Sequence, residues 1–437
     1  MPGTRTEKAP KKSRERVAVL LTVLSYDDLL APEPLVVVLP RGPRVTLGRA
    51  EQGPWLSLRT EVDLDVRDAF ASTRHAAIRR GETDVISDLD SRNGTYVDGV
   101  RVSDHPLTDG ALIEIGHTLL CYRKVEASEV VFLGKSPFGP VVTVSPALSA
   151  LSRDLARIAP SREPVLLLAE SGAGKEVAAR MIHTLSGRRG ELVSLDGGAI
   201  PDGLFESTLF GHARGAYTGA TDARRGALEA AHQGTLFLDE VANLSLAAQA
   251  KLLRAWEEGT VTPVGSSTKR AVDVRFVAAT NAALEGGFRG DLRQRMSGYV
   301  ARLPPLRDRR EDLGLLTAHL LREAGVTAAS IIPEAARRLF SRPFPGNVRE
   351  LRQVLRAAAL LAQGEPFEVR HLGEAVVAAP HPVVADDERT RLVAALATAR
   401  GNIVRTAALL ETHPRQVYRM VARHGVDLAA ARSDKPV

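Results

Sequence analysis

Lys175 ends a loop of small residues that opens a helical stretch, an arrangement suited to binding phosphate. "PVLLLAESGAGKEVAARMIH" reads as an apolar strand, a loop and a helix, with Ala169, Glu170, Ser171, Gly172, Ala173, Gly174, Lys175 and Glu176 in the loop. Backbone N–H groups of such a loop converge on phosphates, with the helix N-terminus behind them. Lys175 would reach the β- and γ-phosphates of a nucleotide. The general pattern has Gly first and Ser or Thr last, and here Ala169 and Glu176 fill those slots. "GTLFLDE" is an apolar run closed by two carboxylates, Asp239 and Glu240. Acids at the end of a buried strand are costly unless a metal or a function holds them. Asp239 suits Mg²⁺, and Glu240 suits the orientation of an attacking water. "VRFVAATN" ends in Asn281, placed to sense a γ-phosphate.

Three further groups carry other chemistry. Arg49, Ser72 and Asn93 lie in "VTLGR", "STRH" and "DSRNGTYVDG". An arginine and a hydroxyl can share one phosphate while Asn93 fixes a peptide backbone. A second glycine-rich stretch, "LFGHARGAYTGATDARRGAL", holds Gly215, Ala216, Tyr217, Thr218, Gly219 and Ala220. Glycines allow sharp bends and an exposed aromatic supplies contact area, whereas the bland reading is a loop with one buried tyrosine. "GNIVRTAALLETHPRQVYRMVARHG" reads as two helices, the first with an apolar face of Val404, Ala407, Ala408 and Leu410. Pro414 suits the first turn of the second helix, where Arg415, Gln416, Arg419 and Arg423 are spaced to face a groove of DNA. A helical oligomerisation hairpin is the alternative there.

These residues need several kinds of element to position them. Residues 17–125 alternate short β-rich runs with turn clusters, which predicts an all-β sandwich. Residues 136–378 alternate apolar strands with helical stretches, which predicts an α/β layer on a parallel sheet. Residues 387–430 are helical by periodicity, 379–386 read as a linker, and 1–16 as a disordered basic tail. The 437 residues fit about three domains, each expected to have a core of its own. The net charge of +6 is mild and does not by itself imply nucleic acid. Cys121 is the single cysteine, so no intrachain disulfide is possible, which suits a reducing compartment. "KKSRERVAVLLTVLS" imitates a signal peptide, yet its short apolar run lacks a cleavage site and reads better as a first strand. No stretch approaches the ~20 apolar residues of a membrane span, so a cytoplasmic protein without membrane contact is expected.

Taken in order, "AESGAGKE", "LFGHARGAYTGA", "GTLFLDE", "VAATN", "FRGDLRQR", "LPPLRDRRED" and "FPGNVREL" resemble the sigma-54-dependent transcription activators. These are bacterial enhancer-binding, NtrC-like members of the AAA+ ATPases. The resemblance implies a P-loop ATPase with a helical lid, using ATP and Mg²⁺. It implies Arg289 and Arg295 as arginine fingers that complete a neighbouring subunit's site, and Arg349 as a second sensor in the lid. Sites shared in this way imply a homo-oligomeric ring, expected to be a hexamer. The family's counterpart of residues 215–220 is a surface loop that grips the sigma-54 factor and moves with the nucleotide state. Tyr217 stands where Phe is usual, while Glu176 is itself usual. Asp196 stands where an Asn usually links Glu240 to partner binding, and an Asp there is expected to repel Glu240.

Residues 20–124 resemble a forkhead-associated (FHA) domain, which binds phosphothreonine peptides. That family implies Arg49, Ser72 and Asn93 as ligand contacts, with Gly48 and His75 architectural. Thr73 stands where Arg often follows Ser, and a sandwich that merely pairs domains is the alternative. The C-terminal stretch resembles a Fis-type helix-turn-helix, with Glu411 where the turn usually has Gly. The combined expectation is multidomain: an all-β FHA sandwich, an α/β AAA+ ATPase with lid, and an all-α helix-turn-helix. Its expected partners are sigma-54 RNA polymerase, upstream enhancer DNA and a phosphothreonine-containing protein that gates the activity. The alternatives are a phosphopeptide-gated DNA-binding repressor with weak ATPase output, or an AAA+ remodeller of another protein.

Overall fold

The computed structural model describes residues 15–373, apart from 31–34, 41, 52–53, 55, 61–62, 134–142, 201, 218–221 and 282–287. Beyond 373 it describes 392, 395–396, 399, 402–410, 417 and 421. The chain forms two compact units, Met1–Gly373 and Glu374–Val437. The predicted linker and residues 1–14 of the predicted tail lie outside the described residues, whereas Arg16, the last residue of that tail, already belongs to strand structure.

The N-terminal sandwich pairs two six-stranded sheets. One orders β2 (Val36–Val38), β1 (Arg16–Ser25), β12 (Thr118–Glu126), β11 (Leu112–Ile115), β8 (Thr95–Val97) and β9 (Val100–Val102). The other orders β10 (Asp104–Pro106), β7 (Val85–Asp88), β6 (Ala76–Arg79), β3 (Arg44–Arg49), β5 (Asp63–Val66) and β4 (Leu56–Leu58). Pairing is antiparallel except between β3 and β5. The signal-peptide mimic is therefore a strand, β1, as its apolar run predicts. Strand geometry sends alternate residues to opposite faces. Ala18 and Leu20 enter the sandwich core with Leu47, Ile78, Ile113 and Tyr122. Val19, Leu21 and Val23 face the other way.

The α/β layer has five parallel strands in the order β14 (Leu192–Asp196), β17 (Thr235–Asp239), β20 (Arg275–Thr280), β13 (Val165–Leu168) and β21 (Tyr299–Arg302). These strands read as continuous apolar runs because helices cover both faces. Leu167, Phe237 and Val277 pack on the side of α1 (Pro146–Ile158) and α2 (Lys175–Ser186). Leu166, Leu238 and Ala278 pack with α3 (Asp202–Phe210), α4 (Ala227–Ala230), α5 (Leu246–Glu258) and α6 (Gly290–Met296). Two short ladders, β15 (Gly211–His212) with β16 (Arg224–Arg225) and β18 (Thr260–Val261) with β19 (Arg270–Ala271), project from this layer. The lid consists of α7 (Leu313–Glu323), α8 (Pro333–Phe340) and α9 (Asn347–Ala362).

The sandwich has the core of its own that was expected, and it also shares a second one. Val19, Leu21, Leu119 and Cys121 join one apolar cluster with Leu313, Leu320, Leu339 and Leu351 of the lid. Both faces of β1 are apolar, and two buried faces need two partners. In the C-terminal unit, α10 (Ile403–Leu409) packs Ile403 and Ala407 with Leu392, Leu396, Val417 and Val421. Ala407 and Leu410 of the predicted apolar face join this cluster, whereas the side chains of Val404 and Ala408 are not described. Arg415, Gln416, Arg419, Arg423, Glu411 and Pro414 lie outside the described residues.

Candidate functional site

The phosphate loop runs from Ala169, just after β13, to Gly174, so Lys175 and Glu176 of the predicted loop already belong to α2. Gly172 has a left-handed φ of 74°, and a Cβ there would meet the Gly346 carbonyl at 2.3 Å. Glycine thus lets the start of α9 press directly on the loop. Lys175 opens α2 almost fully buried, and its ammonium donates to Asp239 Oδ1 at 2.7 Å and to Glu240 Oε1 at 2.5 Å. Burial alone would lower its pKa, but the hydrogen bonds to both carboxylates outweigh that and raise it. Glu240 has a left-handed φ of 52°, with its N–H donated to Asp239 Oδ1 at 2.9 Å. Such strain in a non-glycine residue often marks a functional position. Asn281 reaches Glu240 through its backbone N–H, at 3.4 Å from Oε2. Lys175, Asp239, Glu240 and Asn281 are thereby brought together at the ends of three adjacent strands.

The lid grips this loop from the other side. Arg349 donates to Ser171 Oγ at 2.8 Å, and Val348 N–H to the Gly172 carbonyl at 3.1 Å. Arg307 forms a bidentate pair with Glu170, at 2.8 and 2.6 Å. Arg309, buried, donates to the Ala173 carbonyl at 2.8 Å. Asn347, fully buried, accepts the Leu306 N–H and donates to Glu170 and to the Ser171 carbonyl. Reading residue types did not single out Arg307, Arg309 or Asn347, although the motifs "LPPLRDRRED" and "FPGNVREL" contain them. Between loop and lid lies a cavity of about 370 Å³. Its floor is the loop, Lys175 and Asp239, and its walls include Leu148, Leu151, Leu315, Leu316 and Arg349. Phosphate donors at one end and aliphatic walls at the other suit a nucleotide.

Arg289 and Arg295 do not line this cavity. Both are exposed, Arg289 just before α6 and Arg295 on it, and Arg289 is paired with Asp291 at 2.7 Å. Asp196 lies beside Asp239 in register, and its carboxylate accepts the Gly198 N–H at 2.8 Å. The second glycine-rich loop leaves the β15–β16 ladder and is braced by the Val264 carbonyl accepting the Ala213 N–H. Tyr217 is 39% exposed and lies edge-on to His212, which removes the buried-tyrosine alternative. Gly215 and Ala216 are described, whereas Thr218, Gly219 and Ala220 lie outside the described residues.

On the sandwich, Arg49, Ser72 and Asn93 converge on one loop cluster. Arg49 donates its N–H to the Ser72 carbonyl at 2.9 Å and leaves its side chain exposed. Ser72 Oγ accepts the Arg92 N–H, and Asn93 Nδ2 donates to the Phe70 carbonyl at 2.7 Å. His75 sits beneath them, fully buried. Its Nδ1 accepts the Ser72 N–H, which leaves the proton on Nε2 to be donated to the Gly94 carbonyl. Burial lowers its pKa and keeps it neutral. Phe70, which sequence reasoning missed, stacks on His117 at 3.6 Å.

Comparison with known proteins accounts for this arrangement. Residues 141–301 match the sigma-54 interaction domain, 307–387 the AAA+ ATPase lid domain, and 45–116 the FHA domain. The regulatory protein LuxO of Vibrio cholerae is 42% identical over 251 residues, covering 54% of this chain and 47% of LuxO. The transcriptional regulatory protein ZraR of Salmonella typhimurium is 37% identical over 324 residues, covering 70% of this chain and 73% of ZraR. The chain thus spans about half the length of one relative and nearly three quarters of the other. NtrX of Brucella abortus, solved in complex with ATP, is 32% identical, with a TM-score of 0.50 over 66% of this chain and 70% of that one. Among the described residues no helix is long and apolar enough to cross a membrane. With the central ATPase layer, its lid and the length of the ZraR match in agreement, the chain belongs to the sigma-54 activator family of AAA+ transcriptional regulators.

Proposed function

We propose that this protein is a sigma-54-dependent transcription activator that hydrolyses ATP and acts in the cytoplasm. The observation that carries this reading is Lys175 drawn between Asp239 and Glu240 at the mouth of a lid-covered cavity. An incoming triphosphate offers the ammonium a stronger cluster of negative charge than two carboxylates do. Lys175 then moves its hydrogen bonds to phosphate oxygens, and both carboxylates are released. Glu240, held by the Asn281 N–H, turns to a water in line with the γ-phosphate and takes its proton. Asn281 and Arg349 report the γ-phosphate to the strand end and to the lid. Among the described residues no group of three acids, histidines or cysteines forms a metal cage. Mg²⁺ fits that donor set, since it is commonly held by one or two carboxylates plus substrate phosphates. Asp239 would hold it, and the ion would neutralise charge between the phosphates.

Arg289 and Arg295, exposed and outside their own cavity, serve the site of a neighbouring copy in a ring. Residues 215–220 present Tyr217 to sigma-54, while the Arg49, Ser72 and Asn93 cluster receives a phosphothreonine peptide that gates the ring. The helical C-terminal unit binds upstream DNA through Arg415, Gln416, Arg419 and Arg423. The deciding experiment is transcription from a sigma-54 promoter with purified protein, polymerase and ATP. Open complexes that depend on ATP and on this protein support the reading. ATP turnover without open complexes favours remodelling of another protein, and specific DNA binding without turnover favours a repressor.

A further inference from the structure

The sandwich is built onto the lid rather than hung from it. The Leu29 N–H donates to the Ala329 carbonyl at 2.8 Å, and the Ile331 N–H donates to the Tyr26 carbonyl at 2.8 Å. Arg337 of α8 grips the buried Glu114 with its closest contact at 2.6 Å and lies over the Tyr96 ring at 3.8 Å. Arg123 of β12 pairs at 2.6 Å with Glu311, which is fully buried just before α7. Along the seam, β1 meets α7 backbone to backbone, because a Cβ on Gly314 would lie 1.7 Å from the Val23 carbonyl oxygen. The same helix turns its other side to the nucleotide cavity, where Leu315, Leu316 and His319 form part of the wall.

We propose that the sandwich is a brace for α7, so that the seating of β1 on Gly314 and the occupancy of the nucleotide cavity are coupled. This rests on the cavity being a nucleotide site. A nucleotide that bridges the phosphate loop and α7 selects one lid position, and the β1 seat selects a lid position through the same helix. Two sites that bias one rigid element must influence each other reciprocally. Whatever binds the sandwich therefore has a short mechanical route to the ATPase.

Cys121 gives a native readout, since it is the single cysteine of the chain and lies fully buried in the sandwich–lid cluster. The experiment measures its labelling by an aromatic disulfide in the full chain, with and without a non-hydrolysable ATP analogue. Binding of the analogue is followed in parallel by calorimetry. In the wild-type protein the analogue should slow labelling at least about fivefold, the lower end of the usual range of coupling between sites. Gly314→Ala should label at least about tenfold faster and bind the analogue more weakly, by the same reciprocal linkage. Alanine is the better helix former, so loss of the helix cannot explain that result. Arg337→Ala, which leaves α7 untouched, should also speed labelling and so covers a failure of Gly314→Ala to fold. The proposal is overturned if both variants label at the wild-type rate. It is equally overturned if the analogue binds but leaves wild-type labelling unchanged. If calorimetry shows no binding of the analogue, the nucleotide reading falls with it, and the cause is identified.

Discussion

Lys175 is stabilised by two carboxylates, and the proposed exchange of them for phosphate gives the three side chains separable roles. Lys175→Ala should lose nucleotide affinity. Glu240→Gln should keep the affinity and lose turnover by at least about 100-fold, as expected for removal of a catalytic base. Nucleotide titration alongside phosphate release distinguishes them, and near-normal turnover in Glu240→Gln would end the assignment. His75 leads to a prediction about pH. Burial holds its pKa below the ordinary value of about 6.5, so the folded sandwich binds fewer protons there than the unfolded chain. Its contribution to stability is complete above about pH 6.5 and is lost as the pH falls through the lowered folded value. Thermal midpoints measured from pH 7.5 down to 5 should fall more steeply for the wild type than for His75→Gln. Glutamine keeps one acceptor and one donor without titrating.

Elements matter because they hold these groups against each other. The start of α9 is an example: Asn347 has a left-handed φ of 53° and ties Leu306, Glu170 and Ser171 together. Asn347→Ala leaves buried partners unpaired in a conformation that alanine dislikes, and should cost about 2–4 kcal/mol. Denaturant unfolding measures this, and nucleotide affinity should drop with it because the phosphate loop loses its strap. On the sandwich, the end of β3 presents Arg49 beside the Ser72 loop. Arg49→Ala should weaken binding of a phosphothreonine peptide by about 10- to 150-fold, the worth of a charge-assisted hydrogen bond. Titration with matched phosphorylated and unphosphorylated peptides tests this. Equal binding of the two peptides would make the sandwich a brace without a ligand.

For the whole molecule the question is whether one copy suffices. Arg289, just before α6, and Arg295, on it, are exposed and do not line their own cavity. An Arg289→Ala, Arg295→Ala double variant should be inactive alone, as should Glu240→Gln. Mixed, they should recover a measurable part of wild-type ATPase activity, because some junctions then combine an intact Glu240 with intact fingers. Full ATPase activity in a chain shown to be monomeric at high dilution would exclude shared sites.

Much of the nucleotide site was legible in the sequence because its chemistry is local. A loop of small residues before a helix, and acids closing an apolar strand, need only a strand and its next turn to declare themselves. The strand character of β1 was legible for the same reason. What faced its second apolar side was not, since an apolar run reports burial without naming the partner. Asn347, Arg307 and Arg309 escaped notice because an asparagine or an arginine in a turn looks ordinary until the fold carries it onto a loop more than 130 residues away. Tyr217 read as an exposed contact with a buried tyrosine as the alternative, and only the fold around its ladder decided between them. The second core, shared by sandwich and lid, was decided only by tertiary packing. It depends on two surfaces far apart in the chain meeting at Gly314, and no local pattern encodes such a meeting.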